Sequence, residues 1–575
     1  MSISASVDAK LKQHLSLLYG DLAAQVFAKI EQLIATYQPI IRKHGAGAVD
    51  KGEPLWDEST IVLITYGDQI RDEGVPSLRS LRNFLVEHQL DRSINTVHLL
   101  PIFPYSSDDG FSVIDYRAIR KSLGDWQDVK HLGQKFDLAL DFVLNHCSRE
   151  SSWFAGYLNG EQPFVDFFIE VDPDIDLSDV TRPRTSPLLT SVQTNRGERH
   201  VWSTFSSDQM DLNFASPSLL IEMLDILLLY VENGAKIIRL DAIGFLWKEI
   251  GTTCMHLPQT HEVVKLMRTI LDAIAPDTIL LTETNVPHQE NISYFGRGDE
   301  ARAVYQFSLA PLLLDAYLRK DASLLQQWLE DLEYPETGMT FFNFTASHDG
   351  IGVRPLEGIV PPERIDALAN RVLELGGKVN WRERPDGSQS PYELNITYFS
   401  ALAETDDDSG ELHVRKFLAS QAIMLSLRGI PGVYFHSLIG SENDLDGVLQ
   451  TGENRSINRQ KFSSSQLRER LAGNNPKPRI VFEGYQKLLS LRCRQKAFHP
   501  EAAQKMLSIS DSRLLAFERT SCDGEQKVIV LANFSNQQIV LPLPSAPSER
   551  FDLLSGDRIH GSTCTLNAYQ VVWLV

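Results

Sequence analysis

Three carboxylates in this chain follow apolar, strand-like runs. Asp241 ends Ile237-Ile238-Arg239-Leu240, Glu283 ends Ile279-Leu280-Leu281-Thr282, and Asp349 closes Ser347-His348-Asp349 after the run 339–346. A buried strand would not choose charge at these points. Arg239 and Asp241 are two residues apart, so in a strand both side chains point to one side. An aspartate beside a fixed cation stays ionised and positioned, as a carboxylate nucleophile must be. Two carboxylates flanking a bond are the machinery of glycoside chemistry: one attacks the anomeric carbon and the other protonates the leaving oxygen. A third can hold sugar hydroxyls and favour the cationic transition state. A structural ion pair would account for Arg239 and Asp241 alone, but not for three strand-end acids with His348 beside the last.

These residues can meet only if the strands that carry them share one face. A helical stretch, 221–233, closed by Gly234, precedes the Arg239-Asp241 strand, which reads as one αβ step of a parallel barrel. In such barrels the carboxyl ends of the strands converge on the active site. Seven further runs fit the same plan: 61–66, 96–101, 138–143, 279–283, 304–307, 339–346 and 432–435. The expected fold is an α/β (β/α)8 TIM barrel over 56–500, with loop domains inserted at about 147–205 and 351–413. Leu11, Leu15, Leu18, Leu22, Val26, Ile30, Leu33 and Ile34 recur at helical spacing, so 1–55 is a helical N-terminal extension. Short β-type runs at 513–519, 528–534 and 570–575 predict an all-β C-terminal domain over 505–575.

A length of 575 residues and a hydrophobic content of 43% suit a large barrel with accessory domains. The formal charge of −20 argues against nucleic acid or an anionic membrane as the main partner. Any anionic substrate must then meet locally placed arginines. Cys147, Cys254, Cys493, Cys522 and Cys564 are scattered and odd in number, without a CxxC pair, and read as reduced thiols of a cytoplasmic protein. No leader-like N-terminus or membrane span is apparent. No metal-ligand spacing is present, and no cofactor is expected.

The segments Asp141-Phe142-Val143-Leu144-Asn145-His146, Ile238-Arg239-Leu240-Asp241, Thr282-Glu283 and Ser347-His348-Asp349 resemble the four ordered motifs of glycoside hydrolase family 13, the α-amylase clan. The resemblance spans about 56–575. It implies that Asp241 is the nucleophile, Glu283 the general acid/base and Asp349 the transition-state stabiliser. It also implies that His146 and His348 bind glucose hydroxyls while Arg239 fixes the nucleophile. Asp108-Asp109-Gly110-Phe111, His200-Val201-Trp202-Ser203-Thr204-Phe205, Lys248-Glu249-Ile250-Gly251-Thr252 and Ile457-Asn458-Arg459 are similar to the sucrose phosphorylase branch. There, the residue matching Asp108 pairs with that matching Arg459 to close a one-glucose pocket, and that matching Phe111 is an apolar platform. Arg184, in Thr181-Arg182-Pro183-Arg184, matches an arginine that helps to receive phosphate, the co-substrate.

At the acceptor loop the sucrose enzymes carry Asp-Leu-Tyr-Gln, whereas this chain has Ser390-Pro391-Tyr392-Glu393. Tyr392 and Glu393 are therefore the expected acceptor-side residues. Phe342-Asn343-Phe344, Asn380-Trp381, Thr284-Asn285-Val286-Pro287-His288 and the N-terminal extension are instead similar to glucosylglycerate phosphorylases. That resemblance implies retaining, reversible phosphorolysis of 2-O-α-glucosylglycerate to α-glucose 1-phosphate and glycerate through a glucosyl-enzyme. Arg182, Arg184 or Lys378 could meet the glycerate carboxylate. A sucrose, sucrose 6'-phosphate or glucosylglycerol phosphorylase, or an α-glucosidase or transglucosidase, would share the same core carboxylates. The N-terminal helices could pack on the barrel or join two copies into a homodimer.

Overall fold

The computed structural model describes residues 4–43, 54–184, 186–383, 389–404, 409–543 and 549–575. Eight parallel strands close into a barrel: β1 (Val62–Thr65), β2 (Thr96–Leu99), β3 (Asp137–Val143), β4 (Ala235–Asp241), β5 (Ile279–Thr282), β6 (Ala303–Gln306), β7 (Thr340–Phe344) and β8 (Ile430–Tyr434). Each pairs with its chain neighbours, and β8 returns to β1 through Leu63 opposite Val433. The strands are buried nearly throughout, as helices around a closed parallel sheet require. The runs legible in the sequence all form barrel strands, with ends shifted by one or two residues.

The N-terminal extension folds as two helices, α1 (Ala5–Tyr19) and α2 (Ala23–Lys43). Ser4 caps the first by accepting from Val7 N–H, and Gly20, at φ +51°, turns the chain where a side chain would be strained. Their apolar stripe, Leu11, Leu15, Val26, Ile30 and Ile34, is buried on the barrel helices α3 (Pro217–Glu232) and α4 (Pro258–Ile274). Polar ties fix the register: His14 Nδ1 lies 2.6 Å from Glu262, and Tyr37 donates to Asp225 at 2.9 Å. Of the two placements open to these helices, the barrel surface holds this stripe. Residues 1–3 and 44–53, read as part of the same extension, lie outside the described residues.

The first insertion carries a helix (Ser152–Asn159) and a hairpin (Leu189–Thr194 with Gly197–Trp202), and its Val171, Val180, Leu188 and Trp202 form a small core with Cys254 from beyond β4. The second brings Ile351–Gly352, Lys378–Glu383 and Gln389–Asn395 into one antiparallel sheet beside the helix Pro362–Glu374. Beyond the barrel, β9 (Ala503–Met506), β10 (Leu514–Thr520), β11 (Lys527–Asn533) and β12 (Val571–Leu574) form a four-stranded antiparallel sheet. Its alternation divides two cores: Leu515, Phe517 and Val530 join the main core, while Leu514, Ala516 and Leu531 pack beneath the strands 539–542 and 563–566. Among the described residues, no helix is long and apolar enough to cross a membrane.

Candidate active site

Pairing of β3 with β4 sets Asp141 opposite Arg239, two residue pairs before Asp241. Arg239 is thereby clamped between two acids: it bonds Asp141 and reaches Asp241 Oδ1 at 2.8 Å. Asp141 is held in turn by His98 Nε2 at 2.9 Å. Directly after Asp241 the chain turns through Ala242 at φ +48°, a conformation that costs a non-glycine residue free energy and is found where structure over-determines it. The turn aims Ala242 N–H at Glu283 Oε2, 3.0 Å away. Arg239 Nη2 stands 3.8 Å from Glu283, so the guanidinium is shared but favours Asp241.

Burial, with neighbouring carboxylates, pushes Asp241 and Glu283 above the usual carboxylate range, against the pull of Arg239. Two such groups titrate as a pair, and one shared proton is the state that burial favours. Arg239, 2.8 Å from Asp241 but 3.8 Å from Glu283, favours the ionised form of Asp241 over that of Glu283. This division suits a nucleophile and an acid.

Asp349 obeys the opposite balance. Burial would raise its carboxyl, but Arg455, Arg459, Arg239 and Arg184 together hold it below the ordinary value. Arg455 is the main clamp, 2.7 Å from both Asp349 Oδ1 and Glu393 Oε1. Replacing Arg455 by Met leaves two buried acids facing each other without their cation. We expect that variant to lose about 3 kcal/mol of stability in a thermal melt. An unchanged melting temperature would show that Arg455 does not hold these two acids together.

All twelve site residues read from the sequence gather here, and ten of them, all but Arg239 and Arg459, line one cavity of about 100 Å³. Asp241, Glu283, Asp349, Asp108, Phe111, His146, His348, Arg184, Tyr392 and Glu393 face it directly, while Arg239 and Arg459 sit behind its wall. Phe111 stacks on His348 at 4.6 Å with rings nearly parallel, giving the cavity an apolar plate. Burial and the charges of Arg239 and Arg459 keep His348 neutral by holding its basicity well down. His146 bonds Phe111 O through Nε2 at 2.9 Å, and Gln209, which follows the first insertion, reaches the same nitrogen at 3.2 Å. Arg459 Nη1 reaches Asp108 at 3.5 Å and Asp109 at 3.2 Å. Both acids, adjacent at positive φ, thus share the arginine that closes this end.

Three assignments change in the folded chain. Arg182 is exposed and donates to Ser186 O, and Lys378 is exposed at the start of its strand, so neither lines the cavity. Glu393 lines it, but its oxygens are occupied by Arg455, Gly350 N–H and Asn380 Nδ2. Arg455, Arg354, Asn285, Phe205, Gln209 and Phe245 line the cavity without having been singled out as site residues. Lys248, from a quoted motif, is buried and ties Asp211 and Asn145, both at 2.7 Å, behind His146. The outer face opens into a recess of about 720 Å³, which shares Asp108, Arg184, Phe205, Gln209 and Arg455 with the cavity.

The model of the α-amylase catalytic domain matches residues 90–349. A glucosylglycerate phosphorylase of Spirochaeta thermophila is 48% identical over 532 residues, covering 90% of each chain. Another, of Allomeiothermus silvanus, is 45% identical over 577 residues and covers all of both. Among solved structures, sucrose 6F-phosphate phosphorylase from Thermoanaerobacter thermosaccharolyticum superposes with a TM-score of 0.72 at 26% identity, covering 83% of this chain and 94% of its own.

Proposed function

Because the chain belongs to the glucosylglycerate phosphorylases, within the α-amylase clan of glycoside hydrolase family 13, we propose that it catalyses the reversible phosphorolysis of 2-O-α-glucosylglycerate. The products are α-glucose 1-phosphate and glycerate. The enzyme is a glycoside phosphorylase that moves a glucosyl unit between two small acceptors. The observation that carries the reaction class is the pairing of an end closed by an ion-paired arginine with an arginine free of ion pairs at the open end. Arg459 and its two acids shut one side, and Arg184 lines the other with no carboxylate within ion-pair distance among the described residues.

In the first step Asp241 attacks C1, the bond from C1 to the glycerate oxygen breaks, and Glu283 gives that oxygen its proton. In the second, a phosphate oxygen attacks C1, the bond to Asp241 breaks, and Glu283 recovers a proton from the incoming phosphate. Asp349 holds sugar hydroxyls while positive charge develops at C1. Phosphate is an adequate nucleophile, so the site must exclude water more than activate the acceptor. The apolar plate and Phe205, Phe245 and Met255 serve that end.

The direct test is release of glucose 1-phosphate from glucosylglycerate with phosphate, with sucrose and phosphate run in parallel. Turnover of the first alone is expected. Free glucose formed independently of phosphate would mean a hydrolase, and turnover of sucrose alone would change the acceptor. Arg184→Ala should raise the phosphate KM at least about tenfold, the loss expected of one charge-assisted contact. It should also increase the share of free glucose, since water then competes better for the glucosyl-enzyme. An unchanged phosphate KM would remove Arg184 from the anion site.

A further inference from the structure

The proposed reaction needs two anions at the acceptor side, the phosphate of one step and the glycerate carboxylate of the other. The cavity is otherwise hostile to them, since Asp108, Asp241, Glu283, Asp349 and Glu393 all face it. Three arginines in or behind its wall are committed: Arg239 to Asp141 and Asp241, Arg455 to Asp349 and Glu393, Arg459 to Asp108 and Asp109. Arg184 and Arg354 line the same cavity, and neither has a carboxylate within 4 Å among the described residues.

Arg354 is placed by the second insertion. Gly352 pairs with Glu393, Val353 N–H donates to Tyr392 O at 3.2 Å, and the turn Arg354–Leu356 then begins. The Arg354 Nε is shut off from solvent and has no hydrogen-bond partner. A guanidinium N–H left in that state costs free energy that a bound acceptor would recover. Asn285 Oδ1, which lines the same cavity and lies against Gly352, is also buried and unpartnered. Gly352 makes this approach possible, because a Cβ there would stand 2.4 Å from Asn285 Nδ2. Arg184 borders both the cavity and the outer recess, whereas Arg354 borders the inner cavity and not the recess.

We propose that Arg354 receives the carboxylate of the glycerate acceptor, with Asn285 Oδ1 accepting from one of its hydroxyls, and that this pair selects an acidic acceptor. Arg184 is left to phosphate. A planar guanidinium suits a carboxylate fork, and the amide oxygen suits an O–H donor. The assignment rests on the phosphorolysis reading above.

The test measures two Michaelis constants in the same protein: glycerate in synthesis from glucose 1-phosphate, and phosphate in phosphorolysis. Arg354→Ala is expected to raise the glycerate KM about 30-fold, the scale of a lost charged hydrogen-bond pair, while the phosphate KM rises less than threefold. Arg354→Lys, which keeps charge without the fork, should fall between Ala and wild type, and Asn285→Ala should raise the glycerate KM by about fivefold. Equal rises in both constants would make Arg354 a structural residue, a rise in the phosphate constant alone would give it to phosphate, and an unmoved glycerate constant would remove it from the site. Each result overturns the assignment. If Arg354→Ala fails to fold, the Lys and Asn285 variants decide it. Wild-type enzyme that forms no glycerate from glucosylglycerate would instead overturn the underlying reading, with Arg354 never entering the question.

Discussion

Asp241→Asn is expected to lower phosphorolysis of glucosylglycerate by about 10⁴-fold or more, a loss on the scale seen when a covalent nucleophile is removed. That factor corresponds to about 5.5 kcal/mol of barrier. An amide at this position keeps the shape but cannot form the ester with C1, so both half-reactions stop. Loss should extend to every glucosyl donor, including α-glucosyl fluoride and glucose 1-phosphate, because each must pass through the same intermediate. The fold should survive the change. Arg239 retains Asp141 as a buried partner, and Asp241 sits among Asp141, Glu283 and Asp349, where its charge is opposed as well as supported. A melting temperature within a few degrees of wild type would therefore accompany the collapse in rate. Activity above about one hundredth of wild type would show that another group attacks C1, or that no covalent intermediate forms.

The strand-end acids were legible because physical chemistry makes them conspicuous. An apolar run ending in charge is rare enough to be read without knowing where the chain goes next. The barrel then converts three separate stretches into one site, because parallel strands closed on themselves put all their carboxyl ends on one face. The same logic would have found the role of Asp141. Its register with Arg239 follows from β3 lying beside β4, and a buried aspartate opposite a buried arginine is a clamp.

Arg455 was not legible in this way. It lies in the turn Asn454–Asn458, which has no period to read, and its partners Asp349 and Glu393 come from two other segments, 106 and 62 residues earlier. Such pairings are set by how the second insertion folds over the barrel, and local sequence carries no trace of that. Glu393 shows the same limit from the other side. The sequence marks it as an acceptor-loop residue, yet only the folded chain reveals that its charge is spent on Arg455. The N-terminal stripe was legible as helix, but what it covers depended on the shape of α3 and α4.

Glu283→Gln separates the two carboxylates by the quality of the leaving group. The glycerate oxygen leaves as an alkoxide unless it is protonated, so loss of the acid should slow phosphorolysis of glucosylglycerate by about 10²–10⁴-fold. Fluoride and phosphate depart without that help. With α-glucosyl fluoride the variant should therefore keep within about tenfold of the wild-type rate of glucosyl transfer to phosphate, where Asp241→Asn has none. The pH profile gives an independent reading. Burial raises the Glu283 carboxyl, and the group must carry its proton when glucosylglycerate binds, so wild-type activity falls as pH rises through that raised value. Glutamine cannot titrate, and the descending limb should be absent from the residual activity of the variant. A limb that persists unchanged would assign the proton to another group within reach. Equal losses with glucosylglycerate and the fluoride would show that Glu283 acts on the transition state of both steps by charge or position, and that protonation of the leaving oxygen falls to some other residue.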